Sequence, residues 1–148
     1  MEDVNNTFLH ILTQYQEPAD KYGLRFIVLF GSYALGEAEE DNDVDVAVAL
    51  TDNRPLMKDY QLYCTLLTEL GRLLAVDPAR IDLADLNQAD ILFRYEITAQ
   101  GRLLAGDADD YAQYQAFAFR DYLDAASLFE LEDFIINKRQ QLLAVLLT

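Results

Sequence analysis

The segment from Asp43 to Leu50 alternates between two kinds of side chain, and this period of two constrains the fold more than any other feature of the chain. Successive side chains of a β-strand point to opposite faces, so the pattern predicts a strand with one aliphatic face. That face holds Val44, Val46, Val48 and Leu50, and the other face holds Asp43, Asp45, Ala47 and Ala49. The strand therefore has a side for a core and a side that begins with two carboxylates.

Two further strands are predicted from apolar runs. Leu24 to Phe30 is apolar except for Arg25, which is typical of a buried strand, and Arg80 to Leu86 places Asp82, Ala84 and Leu86 on one face. Apolar spacing and breaker residues predict helices at 3–22, from Gly31-Ser32 to about Gly36, at 56–75, at 88–99, and at 108–147 with a bend or break near 125–127. Leu103-Leu104 fits either a short strand or an apolar contact for the last helix.

Strands that alternate with helices predict an α/β or α+β domain, with a small mixed sheet covered on one side by helices and a helical C-terminus. The 148 residues suit a single domain, with a core of about 5–105 and a helical extension of about 108–147. A hydrophobic fraction of 52% is ample for a core, so the composition argues against intrinsic disorder.

The charge of the chain is strongly negative, with 26 Asp and Glu residues against 11 Lys and Arg residues and a formal net charge of −15. Nucleic acid is bound largely by Lys and Arg at the phosphates, so we expect no nucleic-acid partner and no anionic membrane surface as a partner. The acidity either attracts a basic protein partner or serves only solubility.

The histidine and cysteine contents narrow the chemistry. His10 is the only histidine, so multi-histidine metal sites and Ser-His-Asp chemistry have no support. Cys64 is the only cysteine, which excludes an internal disulfide, and its apolar neighbours predict a core position. We find no signal-peptide pattern and no apolar run near the roughly 20 residues that span a bilayer, so we expect a cytoplasmic protein.

The two strand aspartates point to metal chemistry. Asp43 and Asp45 project from one face, one rung apart, and hard carboxylate oxygens suit Mg²⁺, which binds a few carboxylates together with substrate phosphates. Two such ions can hold the attacking and leaving oxygens of a phosphoryl transfer. Asp82 supplies a third carboxylate if its strand is a neighbour, whereas Asp85 faces the opposite side.

Gly31-Ser32 supplies a place for the phosphates. A glycine between a strand and a short helix allows close backbone approach, the helix start presents free N–H groups to an anion, and the Ser32 hydroxyl adds a donor. Taken singly, these patterns also occur as ordinary turns, and an Asp-x-Asp pair also occurs on solvated strand edges.

The combined order of Gly-Ser, ten intervening residues and Asp-x-Asp resembles the signature of the DNA polymerase β-like nucleotidyltransferases. The chain resembles in particular the minimal nucleotidyltransferases, the MntA-type antitoxins paired with HEPN-domain toxins, over roughly residues 5–125. The segments that carry this resemblance are Phe30 to Ala38, Asn42 to Val48, Arg80 to Leu86, Leu92 to Ile97 and Gly101 to Leu104.

The resemblance implies a polymerase β-like fold and an Mg²⁺-dependent enzyme. It implies that Gly31 and Ser32 hold the triphosphate of ATP, and that Asp43, Asp45 and Asp82 are the catalytic and metal-binding carboxylates. Members of the antitoxin group transfer AMP from ATP to a tyrosine of the partner toxin, which blocks its ribonuclease activity. A HEPN toxin is therefore the expected partner, and the protein is expected to form a homodimer or a hetero-oligomer.

Two departures and two alternatives accompany this interpretation. Many relatives carry Arg at the position of Leu35, where it adds positive charge near the phosphates, and Ser at the position of Asn42.

One alternative is an antitoxin that neutralises its toxin by binding alone. The other is transfer to a small molecule of the aminoglycoside type, although such enzymes usually bring a larger second domain, for which 148 residues leave little room.

Overall fold

The computed structural model describes residues 14–37 and 42–147. The elements in chain order are helix α1 (residues 14–22), strand β1 (Leu24–Phe30), helix α2 (Gly31–Leu35), strand β2 (Val44–Leu50), helix α3 (Tyr60–Leu74), strand β3 (Ile81–Asp85), helix α4 (Ile91–Gln100), strand β4 (Arg102–Ala105) and helix α5 (Ala108–Leu146). Short 3₁₀ turns, Leu56–Lys58 and Pro78–Arg80, precede α3 and β3. The first part of the predicted helix 3–22, including His10, lies outside the described residues.

The four strands form one mixed sheet in the order β3-β2-β1-β4. Strand β1 pairs antiparallel with β2 and with β4, and β2 pairs parallel with β3. The short strand at Leu103-Leu104 is thereby confirmed, and so is the mixed α/β fold class. Because β1 lies inside the sheet with a core on each face, its nearly continuous apolar sequence has a direct structural cause.

Two cores, one on each face of the sheet, hold the domain together. The aliphatic face of β2 packs with residues of α1 and α3, in a cluster that includes Tyr15, Ala19, Val46, Val48, Leu66 and Leu70. The opposite face packs with α4 and α5, in a cluster that includes Phe26, Val28, Ala47, Ala49, Ile97 and Tyr111. The expectation of helices on only one side was wrong, because the Ala-rich face of β2 is also covered.

Aspartate caps explain why several helices are shorter than predicted. The carboxylates of Asp59 and Asp90 accept from the backbone N–H groups of Leu62 (3.1 Å) and Phe93 (2.8 Å), so α3 and α4 begin after these residues. Asp77 likewise accepts from Ala79 (2.9 Å) in the turn Pro78–Arg80, so strand β3 starts at Ile81 rather than Arg80. Part of the acidity predicted to serve solubility or a partner thus caps the N-termini of helices.

Helix α5 is a single uninterrupted helix of 39 residues, so it has no break near 125–127, where a bend or break was predicted. Its first half lies against α4, where Gln115 donates to the Thr98 carbonyl at 2.9 Å. The predicted core position of Cys64 was also wrong, because α3 turns Leu66 and Leu70 to the sheet and leaves Cys64 exposed. None of the helices in the described ranges has the length and apolar character needed to cross a membrane.

Candidate active site

The candidate site lies where β2 and β3 begin. Asp45 is the register partner of Asp82 on β3 and of Phe30 at the end of β1. Neighbouring strands are about 4.8 Å apart and directly opposite residues share a face, so Asp45 and Asp82 lie side by side. Asp43 is exposed and comes one residue before β2, two positions from Asp45. The second and third strands are neighbours, which is the condition under which Asp82 supplies the third carboxylate.

The electrostatics of Asp45 reflect this crowding of carboxylates. The pKa of Asp45 is raised above its ordinary value, first by burial and then by the negative charges of Asp82 and Asp43. All three carboxylates are therefore within electrostatic reach of one another. A site that concentrates negative charge in this way favours a cation.

Gly31 lies against the Asp45 carboxylate. Its φ is +71°, a left-handed conformation, and a Cβ built at this position would overlap Asp45 Oδ2 and come within 3.1 Å of Cγ. No larger residue fits without moving the carboxylate. The short helix α2 starts at Gly31, and partly buried Ser32 is its second residue, so the predicted phosphate-binding residues lie beside the predicted metal-binding residues.

Arg80 links the parts of the site, and our sequence reasoning missed it. Its Nη2 donates to the Tyr33 hydroxyl at 3.1 Å and to the Asn42 carbonyl at 2.6 Å. Tyr33 follows Ser32 on α2, and Asn42 precedes Asp43, so one guanidinium connects the two halves of the site. The available signal was a rare cation in an acidic chain, two residues before Asp82.

Asp85 has a different role from Asp82, as expected from its position on the opposite face of β3. Its carboxylate accepts from the backbone N–H groups of Leu56 at 2.8 Å and Asn87 at 3.0 Å. These bonds hold the loops after β2 and β3. Asp85 is therefore a structural carboxylate, which leaves Asp82 as the acidic residue of β3 beside Asp45.

The donor set fits a hard divalent cation that also takes ligands from its substrate. Within residues 14–37 and 42–147, no group of three His, Cys, Asp or Glu side chains forms a ready-made metal site. Mg²⁺ rarely needs one, because it commonly binds one or two carboxylates plus substrate phosphates and keeps several waters. Asp43, Asp45 and Asp82 offer oxygens of the right kind where β2 and β3 begin.

This geometry agrees with the family to which the chain belongs. Residues 13–110 match the family model described as polymerase beta, nucleotidyltransferase. The match covers more than half of the chain, so this protein is a member of the polymerase beta nucleotidyltransferase family, as its motifs predicted.

Two curated relatives share the sequence of this region. Protein adenylyltransferase MntA of Thermococcus cleftensis is 43% identical over 53 residues, which are 35% of this chain and 54% of that protein. Protein adenylyltransferase MntA of Shewanella oneidensis is 30% identical over 87 residues, 59% of this chain and 58% of that protein. The chain thus spans just over half the length of these relatives.

Solved structures share the fold. A crystal structure of a toxin-antitoxin with AMP-PNP has a TM-score of 0.64 at 23% identity, covering 84% of this chain and 98% of that chain. A structure of a tri-AMPylated Shewanella oneidensis HEPN toxin in complex with MNT antitoxin has a TM-score of 0.56 at 23% identity, covering 92% and 99%. These likenesses confirm the predicted polymerase β-like fold.

Proposed function

We propose that this protein transfers AMP from ATP to a tyrosine hydroxyl of a HEPN ribonuclease toxin and thereby neutralises it. The observation that carries the proposal is the register of Asp45 with Asp82, beside a helix start that admits only glycine at residue 31. A family member that keeps all of these features has the parts of a working transferase.

Each site residue has a proposed role. Asp43, Asp45 and Asp82 bind Mg²⁺, while the backbone N–H groups at Gly31 and Ser32, with the Ser32 hydroxyl, bind the triphosphate of ATP. When bound, Mg²⁺ neutralises charge that develops on the phosphate oxygens. Asp82 is exposed, so its carboxylate also suits acceptance of the proton from an incoming hydroxyl.

The proposed reaction is a substitution at the α-phosphorus. The deprotonated tyrosine oxygen forms a bond to the α-phosphorus, and the bond from that phosphorus to the oxygen bridging it to the β-phosphorus breaks. Pyrophosphate leaves with the bonding electron pair, and the hydroxyl proton passes to Asp82. Catalysis then rests on positioning and on electrostatic stabilisation of the transferring phosphoryl group.

The proposed partner is supported by the named relatives and by charge. The structural neighbours include an antitoxin in complex with a tri-AMPylated HEPN toxin. The formal net charge of −15 favours encounter with a basic protein over nucleic acid. We also propose that residues 1–148 form one domain and that the protein acts in the cytoplasm, where ATP is available.

A labelling experiment distinguishes the proposal from its two alternatives. The protein is incubated with Mg²⁺, ATP labelled at the α-phosphate and either a purified HEPN toxin or an aminoglycoside, and label on the toxin is the expected result. A stable complex without label, unchanged by Asp43→Ala, favours neutralisation by binding alone. Label that appears only on an aminoglycoside favours a small-molecule enzyme.

A matched pair of substitutions on β3 tests the assignment of the third carboxylate. Asp82→Asn is expected to abolish transfer and to leave stability nearly unchanged, because Asp82 is exposed. Asp85→Asn, three residues along the strand, is expected to retain transfer and to lower the free energy of unfolding by about 1 kcal/mol. Transfer lost only in Asp85→Asn would contradict the assignment.

A further inference from the structure

The second half of α5 carries large apolar side chains that are exposed to solvent. Ala125, 8% exposed, is the last buried residue of the helix, and beyond it large apolar side chains face solvent. Leu128 is 65% exposed and Leu142 is 60% exposed. Residues 128–146 extend about 30 Å at the helical rise of about 1.5 Å per residue. An apolar surface of this extent on a folded protein marks an interaction site.

Five of these side chains have a spacing that fits another α-helix as the partner, while Phe134, Ile136, Leu143 and Leu146 are exposed beside this set. Leu128, Leu131, Ile135, Leu142 and Val145 occupy the first and fourth positions of successive heptads. This pattern favours two helices packed side by side at a small crossing angle. Lys138 is the one polar residue in the stripe, and its ammonium lies 5.6 Å from the centre of the Phe134 ring. A single polar residue within such a seam favours one register over others.

The flanking charges indicate how the helices are oriented. Glu132 and Arg139 occupy the same flanking position, the fifth of the heptad, one heptad apart. In an antiparallel pair this position faces its own equivalent, so Glu132 of one helix meets Arg139 of an identical helix, and the contact occurs twice. In a parallel pair it faces the seventh position, where Ser127, Phe134 and Gln141 carry no charge. The segment is therefore complementary to itself only when antiparallel.

We propose that residues 128–146 of α5 pair antiparallel with the same segment of a second copy of this chain, around a two-fold axis near Ile136. In this register Leu128 lies against Val145 of the second copy, and Leu131 lies against Leu142. The contact is isologous, so it closes as a dimer rather than growing into a filament. The proposal rests on α5 alone and is independent of the proposed catalysis.

Charge reversal on the full chain tests the pairing, with mass measured by light scattering and sedimentation equilibrium. The wild-type chain is expected to be a dimer at micromolar concentration. Glu132→Arg and Arg139→Glu each place like charges together twice, so each is expected to weaken dimerisation at least about tenfold. The double variant E132R/R139E restores opposite charges and is expected to dimerise like the wild type, as is an equimolar mixture of the two single variants.

Asp133→Arg is the matched control for Glu132→Arg, because it makes the same change of charge at the outward-facing sixth position of the heptad. It is expected to leave the dimer intact. Far-UV circular dichroism verifies that each variant retains its helix content. The proposal is overturned if the wild-type chain stays monomeric at about 100 µM. It is also overturned if residues 128–146 become covered only when a HEPN toxin is added. Equal weakening by Asp133→Arg, or no recovery in the double variant, also overturns it.

Discussion

Replacing Gly31 with alanine adds one carbon atom at the contact between the predicted phosphate-binding turn and the predicted metal-binding strand. That carbon would overlap the Asp45 carboxylate. The chain supplies a control at the other end of α2, because Gly36 has nearly the same backbone angle, φ +73° against +71°, but open space within 4 Å of an added Cβ. The two variants carry the same backbone strain and differ in the overlap with Asp45.

The magnitudes follow from these two terms. A left-handed backbone costs an alanine about 1 kcal/mol, so Gly36→Ala is expected to lower the free energy of unfolding by about that amount. Gly31→Ala also forces Asp45 out of its preferred rotamer, which adds about 1 kcal/mol. A displacement of a site carboxylate by about 1 Å reduces transfer roughly 100-fold, so only Gly31→Ala is expected to lose activity.

Urea denaturation and AMP transfer to the toxin measure the two effects separately. Repeating both substitutions in an Asp45→Ala background removes the carboxylate, so the difference in stability between them is expected to fall below about 0.5 kcal/mol. Equal losses of stability at both glycines in the wild-type background would refute the reasoning. Full transfer by Gly31→Ala would refute it as well.

Three further predictions concern stability, measured by urea denaturation. Burial and neighbouring carboxylates raise the pKa of Asp45. The charged form of Asp45 therefore destabilises the metal-free fold above that pKa. Asp45→Asn is expected to be more stable than the wild type at pH 7 and to be inactive. The Arg25 guanidinium lies 2.7 Å from the Asp110 carboxylate and lowers its pKa. This ion pair therefore stabilises the fold above the ordinary carboxylate pKa of about 4 and is lost as the pH falls through the lowered value. Asp110→Asn is expected to cost about 1 kcal/mol at pH 7 and progressively less as the pH falls through that value. A Cβ at Gly101 would lie 2.5 Å from the Ile97 carbonyl oxygen, so Gly101→Ala is expected to cost about 1–3 kcal/mol. A destabilised Asp45→Asn, an acid-insensitive effect of Asp110→Asn, or an unchanged Gly101→Ala would contradict the respective arguments.

The strands and the carboxylate pair were predictable because they depend on short-range rules. A period of two from Asp43 to Leu50 determines which side chains share a face, and the structure places the aliphatic set in one core. The same rule separates Asp82 from Asp85, as their different surroundings confirm. Local pattern was sufficient here because the register of a buried strand cannot slip without exposing its aliphatic face.

Other features depend on contacts between distant parts of the chain, which a local pattern does not contain. The apolar neighbours of Cys64 predicted burial, but the side of α3 that faces the sheet is decided by the whole helix. Ala-rich positions on β2 gave little sign of the second core that α4 and α5 build over them. The bonds of Arg80 to Tyr33 and Asn42 span 47 and 38 residues.

The carboxylates of Asp43, Asp45 and Asp82 are proposed to bind divalent ions beside the Gly31-Ser32 turn. A crystal structure of the protein with Mn²⁺ and a non-hydrolysable ATP analogue tests it most directly, because Mn²⁺ gives an anomalous signal and takes the ligands that Mg²⁺ prefers. Anomalous peaks are expected at about 2.0–2.2 Å from carboxylate oxygens of Asp43, Asp45 and Asp82, with the triphosphate at Ser32. Bound nucleotide elsewhere, or Mn²⁺ absent from these aspartates, would contradict it.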